Sequence, residues 1–442
     1  MKVLGNILRA DGRSCRTTTS PTVFCGLLGV AILALVGGVS LAFAAPNVHS
    51  DGSDGAFAPT AATTTIDLGL ATTGTWDQPG AVSGNGVYDP EKWAVVFKYS
   101  SVSIASGKTV QFINHPSGAP VVWLAQSNIT IAGTVDLAGV NANNGRAGSF
   151  TNGGPGGFAG GRGYLISNNT GSAGLGPGGG GHTATASGSG GYAFPGAGTL
   201  PGGAYGNPRI VPLIGGSGGG GSSSQSFGGG GGGGGGAILL ACAGTASLSG
   251  TVNANGGNGY TSVYAWYSPA GSGGGIRIIA NEVTGAASAL SVLGGTGNAS
   301  GSVGRIRIEA NAITLTGSSS PDYTWLKPLD NDTAVLWLPD NAPRIRVVTV
   351  GTESVPVDPG NRFNPPGDVV MVTTDPQPVM MEANNVPTTW LVKLRVTQRN
   401  GASSTIDAAL VSGDELSSTW QATLTGVPIN DFVIVQARAT GL

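Results

Sequence analysis

The stretch that decides the fold is Val122-Trp-Leu-Ala-Gln-Ser-Asn-Ile-Thr-Ile-Ala-Gly-Thr-Val-Asp-Leu-Ala-Gly139. It contains three short apolar-polar alternations, divided by Ser-Asn and Ala-Gly turns, and shows no helical period. The frame recurs. Ile238-Leu-Leu-Ala-Cys-Ala-Gly-Thr-Ala-Ser-Leu-Ser-Gly-Thr-Val252 leads into Asn253-Ala-Asn-Gly-Gly, as Val122–Gly139 leads into Asn141-Ala-Asn-Asn-Gly. Ile276-Arg-Ile-Ile-Ala-Asn-Glu-Val-Thr-Gly285 and Ile306-Arg-Ile-Glu-Ala-Asn-Ala-Ile-Thr-Leu-Thr-Gly317 are further copies. The last three lie roughly thirty residues apart, within the range of solenoid repeats.

Three short strands per repeat, joined by small residues, predict an all-β chain whose main body is a parallel β-helix, or solenoid. Each coil would turn Ile, Leu and Val inward against the coil below. An antiparallel sandwich is the competing arrangement, but it calls for longer strands and hairpin turns. Asn143 and Asn255 recur at one repeat position and are expected to stack as a side-chain ladder.

The chain divides into five parts. Residues 1–44 read as a signal peptide: Lys2, Arg9, Arg13 and Arg16, then an apolar run, then Ala42-Phe43-Ala44. An uncleaved membrane anchor is the other reading of that run. Residues 45–92 are an Ala/Thr/Gly-rich lead-in, and 93–320 hold the β-helix with a glycine-rich insertion at 145–236. Residues 321–340 form a linker. Residues 341–442, with normal composition and strand-like runs, predict a small C-terminal antiparallel β-sandwich. The insertion ends in the unbroken glycine run 228–236 and carries Phe150, Phe158, Tyr164, Phe194, Tyr205 and Phe227. It reads either as a flexible loop or as extended strands packed on the coils.

Composition narrows the chemistry. Of 442 residues 79 are Gly, and only 10% are charged, against about 7% and about 25% in ordinary globular chains. A net charge of −2 gives no footprint for nucleic acid. From 101 to 320 the only acids are Asp136, Glu282 and Glu309, so a paired acid and base for cutting polysaccharides is poorly supplied. Three His and three Cys leave no metal-ligand spacing. Cys15 and Cys25 fall in the leader, and Cys242 reads as a buried small hydrophobe. No catalytic, cofactor or metal residues are assigned.

Motif matches are weak in such a chain. Gly215-Gly-Ser217-Gly-Gly219 satisfies G-x-S-x-G without the strand-turn-helix context. Gly107-Lys108-Thr109 lacks the rest of a phosphate cradle. Asp330-Asn331-Asp332 reads as a linker turn rather than a calcium loop. Arg277, Arg305 and Arg307 alternate with Ile and are placed on a solvated strand face. They are the candidate glycan contacts.

In the order of its parts the chain resembles the glycine-rich secreted β-helix proteins of environmental bacteria. These carry an export signal, coils of the Val-Trp-Leu-Ala…Ile-Thr-Ile-Ala-Gly-Thr-Val-Asp-Leu type, a glycine tract, a Gly-Arg-Ile-Arg-Ile-Glu-Ala segment (here 304–310) and a C-terminal β-domain. The glycine tract is also similar to that of mycobacterial PE-PGRS surface proteins, whose helical leader is absent here. The resemblance supplies a fold and no role. The functional expectation is an exported, non-catalytic cell-surface or extracellular structural or adhesion protein, meeting glycans or cell-envelope components and no nucleic acid. It would meet a membrane only if the leader stays uncleaved. A polysaccharide-active enzyme of pectin-lyase-like architecture and a carbohydrate-binding module, with Trp325, Trp337, Trp390 or Trp420 in a flat exposed row, are the alternatives.

Overall fold

Strand pairing in the computed structural model follows the repeat. Described residues are 44–142, 150–163, 171–183, 185–222, 228–260, 268–329, 334–357, 359, 367–370, 376–398, 403–426 and 432–441, with the backbone alone of Lys2–Arg9. The fold is all-β, with parallel and antiparallel sheets. Among the described residues the only helical turns are the 3-10 turns Leu68–Leu70 and Ala287–Ala289.

The repeats contribute strands to three parallel ladders, the last copy to the first two only. The first ladder stacks Ala94–Tyr99, Val121–Ala125, Ala237–Cys242, the first halves of Gly275–Ala286 and Arg305–Thr316, and Thr324–Leu326. The second runs from Ala56–Phe57 through Ser101–Ile104, Ile129–Ile131 and Thr245–Leu248 to the second halves of those two long strands. The third holds Thr63–Asp67, Thr109–Ile113, Thr134–Asp136, Thr251–Asn253 and Leu290–Ser291. Two strands of the lead-in therefore already belong to the ladders.

Register preserves the side-chain columns. Val95, Val121, Ile238, Ile276 and Ile306 align in the first ladder. Val110, Val135, Val252 and Leu290 align in the third. Aliphatic residues of all three ladders meet in one buried core, which Phe97, Tyr99 and Trp123 join. Burial of such side chains stabilises the fold by about 1.5–3 kcal/mol each. The first ladder is covered on its outer face as well. Ala94, Val96, Val122, Leu124, Leu239, Ala241 and Ile279 pack under Val48, Ala334 and Leu336.

The long glycine tract leaves the ladders after Asp136 and returns at Ala237 without disturbing them, since Val121–Ala125 pairs directly with Ala237–Cys242. Its described residues form a packed body of extended segments, the second of the two readings. Its centre is the run 228–236. Amides of Gly231 and Gly234 donate to Gly161 and Phe158, those of Gly232 and Gly235 to Pro269 and Ser272, and those of Gly233 and Gly236 to Val140 and Leu137. Partners change with a period of three, the repeat of polyproline II backbone, which has no internal hydrogen bonds and must find them sideways. Carbonyls of Gly229, Gly232 and Gly235 accept in turn from Ser222, Gly219 and Gly216. The glycine loops of the later repeats join the same body, as in Gly257 N–H to Gly233 O and Gly271 N–H to Gly257 O. Phe158, Leu175, Tyr192, Tyr205 and Ile214 form an apolar cluster with Ile434 of the C-terminal part. Tyr164 and Phe227 lie outside the described residues.

The C-terminal part has two sheets around a second core. One is Glu353–Ser354, Arg344–Val350, Gln377–Asn384, Ser417–Leu424 and Ala409–Gly413, all antiparallel. The other is Val433–Thr440, Leu391–Gln398 and Ser403–Asp407, antiparallel, with Lys2–Arg9 added parallel to Val433–Thr440. Val347, Met381, Leu394, Val396, Trp420 and Val435 meet between them.

Candidate functional site

Arg277, Arg305 and Arg307 were expected on a solvated face, and the first of them corrects that expectation. Arg277 and Arg307 are register neighbours and point away from the core, as alternation requires. The segment 334–336 then covers them. Arg277 is 3% exposed, binds both carboxylate oxygens of Glu309 through Nη2 at 3.1 and 3.0 Å, and donates to the carbonyls of Val335 and Leu336. Arg307 binds the same carboxylate through Nε at 3.1 Å. Burial pulls the Arg277 guanidinium below the usual arginine range, and Glu309 opposes this. Arg305 donates to the carbonyls of Ala193 and Tyr205 and lies 5.5 Å over the Tyr192 ring. These arginines fasten the ladder to the linker and to the glycine body.

The three acids of the repeat region stand on three different ladders. Asp136 is on the third, where it accepts from Asn253 Nδ2 and the Ala138 amide. Glu282 is on the second, and Glu309 is in the ion pairs of the first. Among the described residues no group of three or more His, Cys, Asp and Glu is placed to hold a metal. Ser217 is buried inside the glycine body, donating to Tyr205 Oη at 3.0 Å and accepting from the Gly178 amide. Lys108 closes a turn and donates to the Thr60 carbonyl. Asn143 and Asp330-Asn331-Asp332 lie outside the described residues. Among the described residues, Asn141 Oδ1 accepts from the Asn258 amide, and Asn258 Oδ1 from the Thr296 amide, both at 2.8 Å.

The tryptophans form no flat row. Trp420 is core, Trp337 and Trp390 are partly buried, and Trp325 is exposed. Trp337 packs edge-on against Trp76 at 5.4 Å. Its indole N–H is buried without a partner in the wall of a cleft of about 490 Å³ shared with Trp93, Phe158, Lys92 and Arg344.

A second cleft, of about 410 Å³, opens where the glycine body meets the C-terminal sheets. Pro177 and Tyr205 form one wall, with Leu391, Lys393, Arg395, Thr405, Gln436 and Arg438 on the other. Arg395 reaches across it, donating to the carbonyls of Gly176, Pro177 and Gly179 and to Ser403 Oγ. Burial, and then the charge of Arg438, lower its pKa to about 10. Nothing in Leu-Val-Lys-Leu-Arg-Val (391–396) marks a strand that faces another unit, so the sequence does not single out these cations.

Against family models, curated proteins and solved structures, the chain has no match.

Proposed function

We propose that the protein is an exported, non-catalytic structural or adhesive component of the cell surface or extracellular matrix. In this reading the three ladders form a parallel β-helix that carries the glycine body as an insertion, followed by an antiparallel β-sandwich. The observation that carries it is the lateral amide network of the glycine run. A body held by backbone groups spends almost no side chains and is suited to being displayed as a rigid mass. Asp136 is bonded to Asn253 and Glu309 to Arg277 and Arg307, which weighs against either one serving in the carboxyl pair of the pectin-lyase-like alternative. Arginines consumed in internal pairs fit a scaffold.

Glycan binding is the second reading, favoured by the side chains of Trp93, Phe158 and Trp337 lining one cleft. An aromatic wall suits a sugar ring.

Fractionation of the producing cell, with N-terminal sequencing of the product, tests the first reading. The expected result is extracellular or surface-bound protein beginning at Ala45. Cytoplasmic protein retaining Met1 overturns it.

A further inference from the structure

We infer that the cleft of about 490 Å³ holding Trp93, Phe158 and Trp337 binds a small amphiphilic acid, an apolar body carrying one anionic head. Its volume lies in the range of organic-ligand sites. Most of the lining is apolar: Trp93, Phe158, Leu213, Ile214 and Trp337 stand beside five prolines. Five charged side chains complete it. Arg346 and Glu382 face each other across two paired strands and cancel, with Nε and Nη2 donating to Oε2 at 3.2 and 3.0 Å. Glu91 is exposed to water. Lys92 and Arg344 are half-buried, and among the described residues neither side chain has a hydrogen-bond or ion-pair partner. An anionic head lodged against them relieves cations that are partly withdrawn from water.

The backbone around the cleft supplies an independent observation. Four described residues other than glycine have positive φ, and three of them lie in the lining or within two residues of it. Trp93 (φ 48°) is in the wall, Ile210 (φ 54°) precedes Pro212, and Asn385 (φ 54°) follows Asn384. Asn tolerates this region, but a bulky Trp and a β-branched Ile adopt it only under strain, and such strain gathers at ligand sites. The Trp93 ring is held by its indole N–H, which donates to the Ser117 carbonyl at 3.3 Å. A sugar, the occupant in the second reading, needs hydrogen-bonding groups around its ring. Here the Ser117 hydroxyl is already bonded to His115 Nδ1 at 2.8 Å. An amphiphilic acid uses what the cleft offers, apolar walls and free cations. This ligand goes beyond the scaffold reading and does not depend on it, since binding is the same wherever the protein resides.

The test is isothermal titration calorimetry of the full chain with three probes. These are decanoate below its micelle concentration, decyltrimethylammonium as the same chain with a cationic head, and maltohexaose as a neutral sugar. Binding of decanoate alone is expected, weakening as salt screens its head. Lys92→Gln and Arg344→Gln each lose about tenfold or more in decanoate affinity, as expected for one charge-assisted hydrogen bond. Lys327→Gln, exposed and outside the cleft, retains wild-type binding. Absence of decanoate binding, equal binding of the two amphiphiles, or an equal loss in Lys327→Gln overturns the proposal. Maltohexaose binding without decanoate binding overturns it in favour of a sugar. Sedimentation with phosphatidylglycerol vesicles, again without decanoate binding, overturns it in favour of a membrane lipid. If Arg344→Gln melts earlier than the wild type, Lys92→Gln, in a turn outside the strands, decides.

Discussion

Gly234 lies so close to Gly216 that a β-carbon on Gly234 would sit 2.0 Å from the Gly216 carbonyl oxygen. The Cα hydrogens of the run point at neighbouring carbonyls, the geometry of Cα–H···O contacts. Glycine is needed here for close approach and not for positive φ. Gly203 has the opposite environment, exposed and with nothing within 4 Å of an added β-carbon.

Gly234→Ala is therefore expected to destabilise the protein by about 3 kcal/mol or more, since the neighbours are backbone and cannot yield. Gly203→Ala should stay within about 0.5 kcal/mol of wild type. Thermal denaturation of the two variants side by side checks this. Equal melting temperatures would show that the run is not packed as described.

The ladders were legible in the sequence because period-two alternation and recurring Gly-Thr-Val turns are local signals. Phe97, Trp123, Leu240 and Ile278 align as the repeat requires. The glycine body was not legible, because its order rests on backbone amides pairing across long separations, which no side-chain pattern records. The same blindness misplaced Arg277. Alternation gave its face correctly, but the covering segment 334–336 comes from a stretch without periodicity. In the C-terminal part the apolar run 406–411 reads as one strand. It is divided at Ala408 between Ser403–Asp407 and Ala409–Gly413, which belong to different sheets. Gln377–Asn384 is a strand despite Pro378, with Val379, Met381 and Ala383 facing the core.

Arg277 and Glu309 form a pair that is 3% and 9% exposed. Glu309→Leu leaves the Arg277 charge buried without its partner and should cost about 3–5 kcal/mol. Arg277→Met combined with Glu309→Leu removes both charges and should recover much of that loss. A thermal-melt cycle of wild type, singles and double measures the coupling. A double variant less stable than Glu309→Leu alone contradicts it.

Cys242 is fully buried in the first ladder, and burial raises its thiol pKa to about 12. Only the thiolate reacts, so the folded, leader-free chain should leave a disulfide reagent unconsumed at about pH 8. In denaturant the same chain should release one equivalent. Rapid reaction without denaturant would place Cys242 at the surface.

His182 gives the glycine body a pH dependence of definite sign. The ring is 2% exposed, and Nδ1 donates to the Gly221 carbonyl at 3.0 Å. Burial lowers its pKa, with the Gly221 bond opposing. The unfolded chain, with an ordinary imidazole near pH 6.5, therefore takes up a proton more readily than the folded one. Stability from this group is fully present above about pH 6.5 and falls as the pH drops towards the folded value. Melting temperatures at about pH 7.5 and about pH 5 should differ more in the wild type than in His182→Asn, which keeps a donor for Gly221 and cannot titrate. Because the substitution leaves every other titrating group in place, the difference between the two pH slopes isolates His182. Identical slopes would mean that the ring is already hydrated in the folded state.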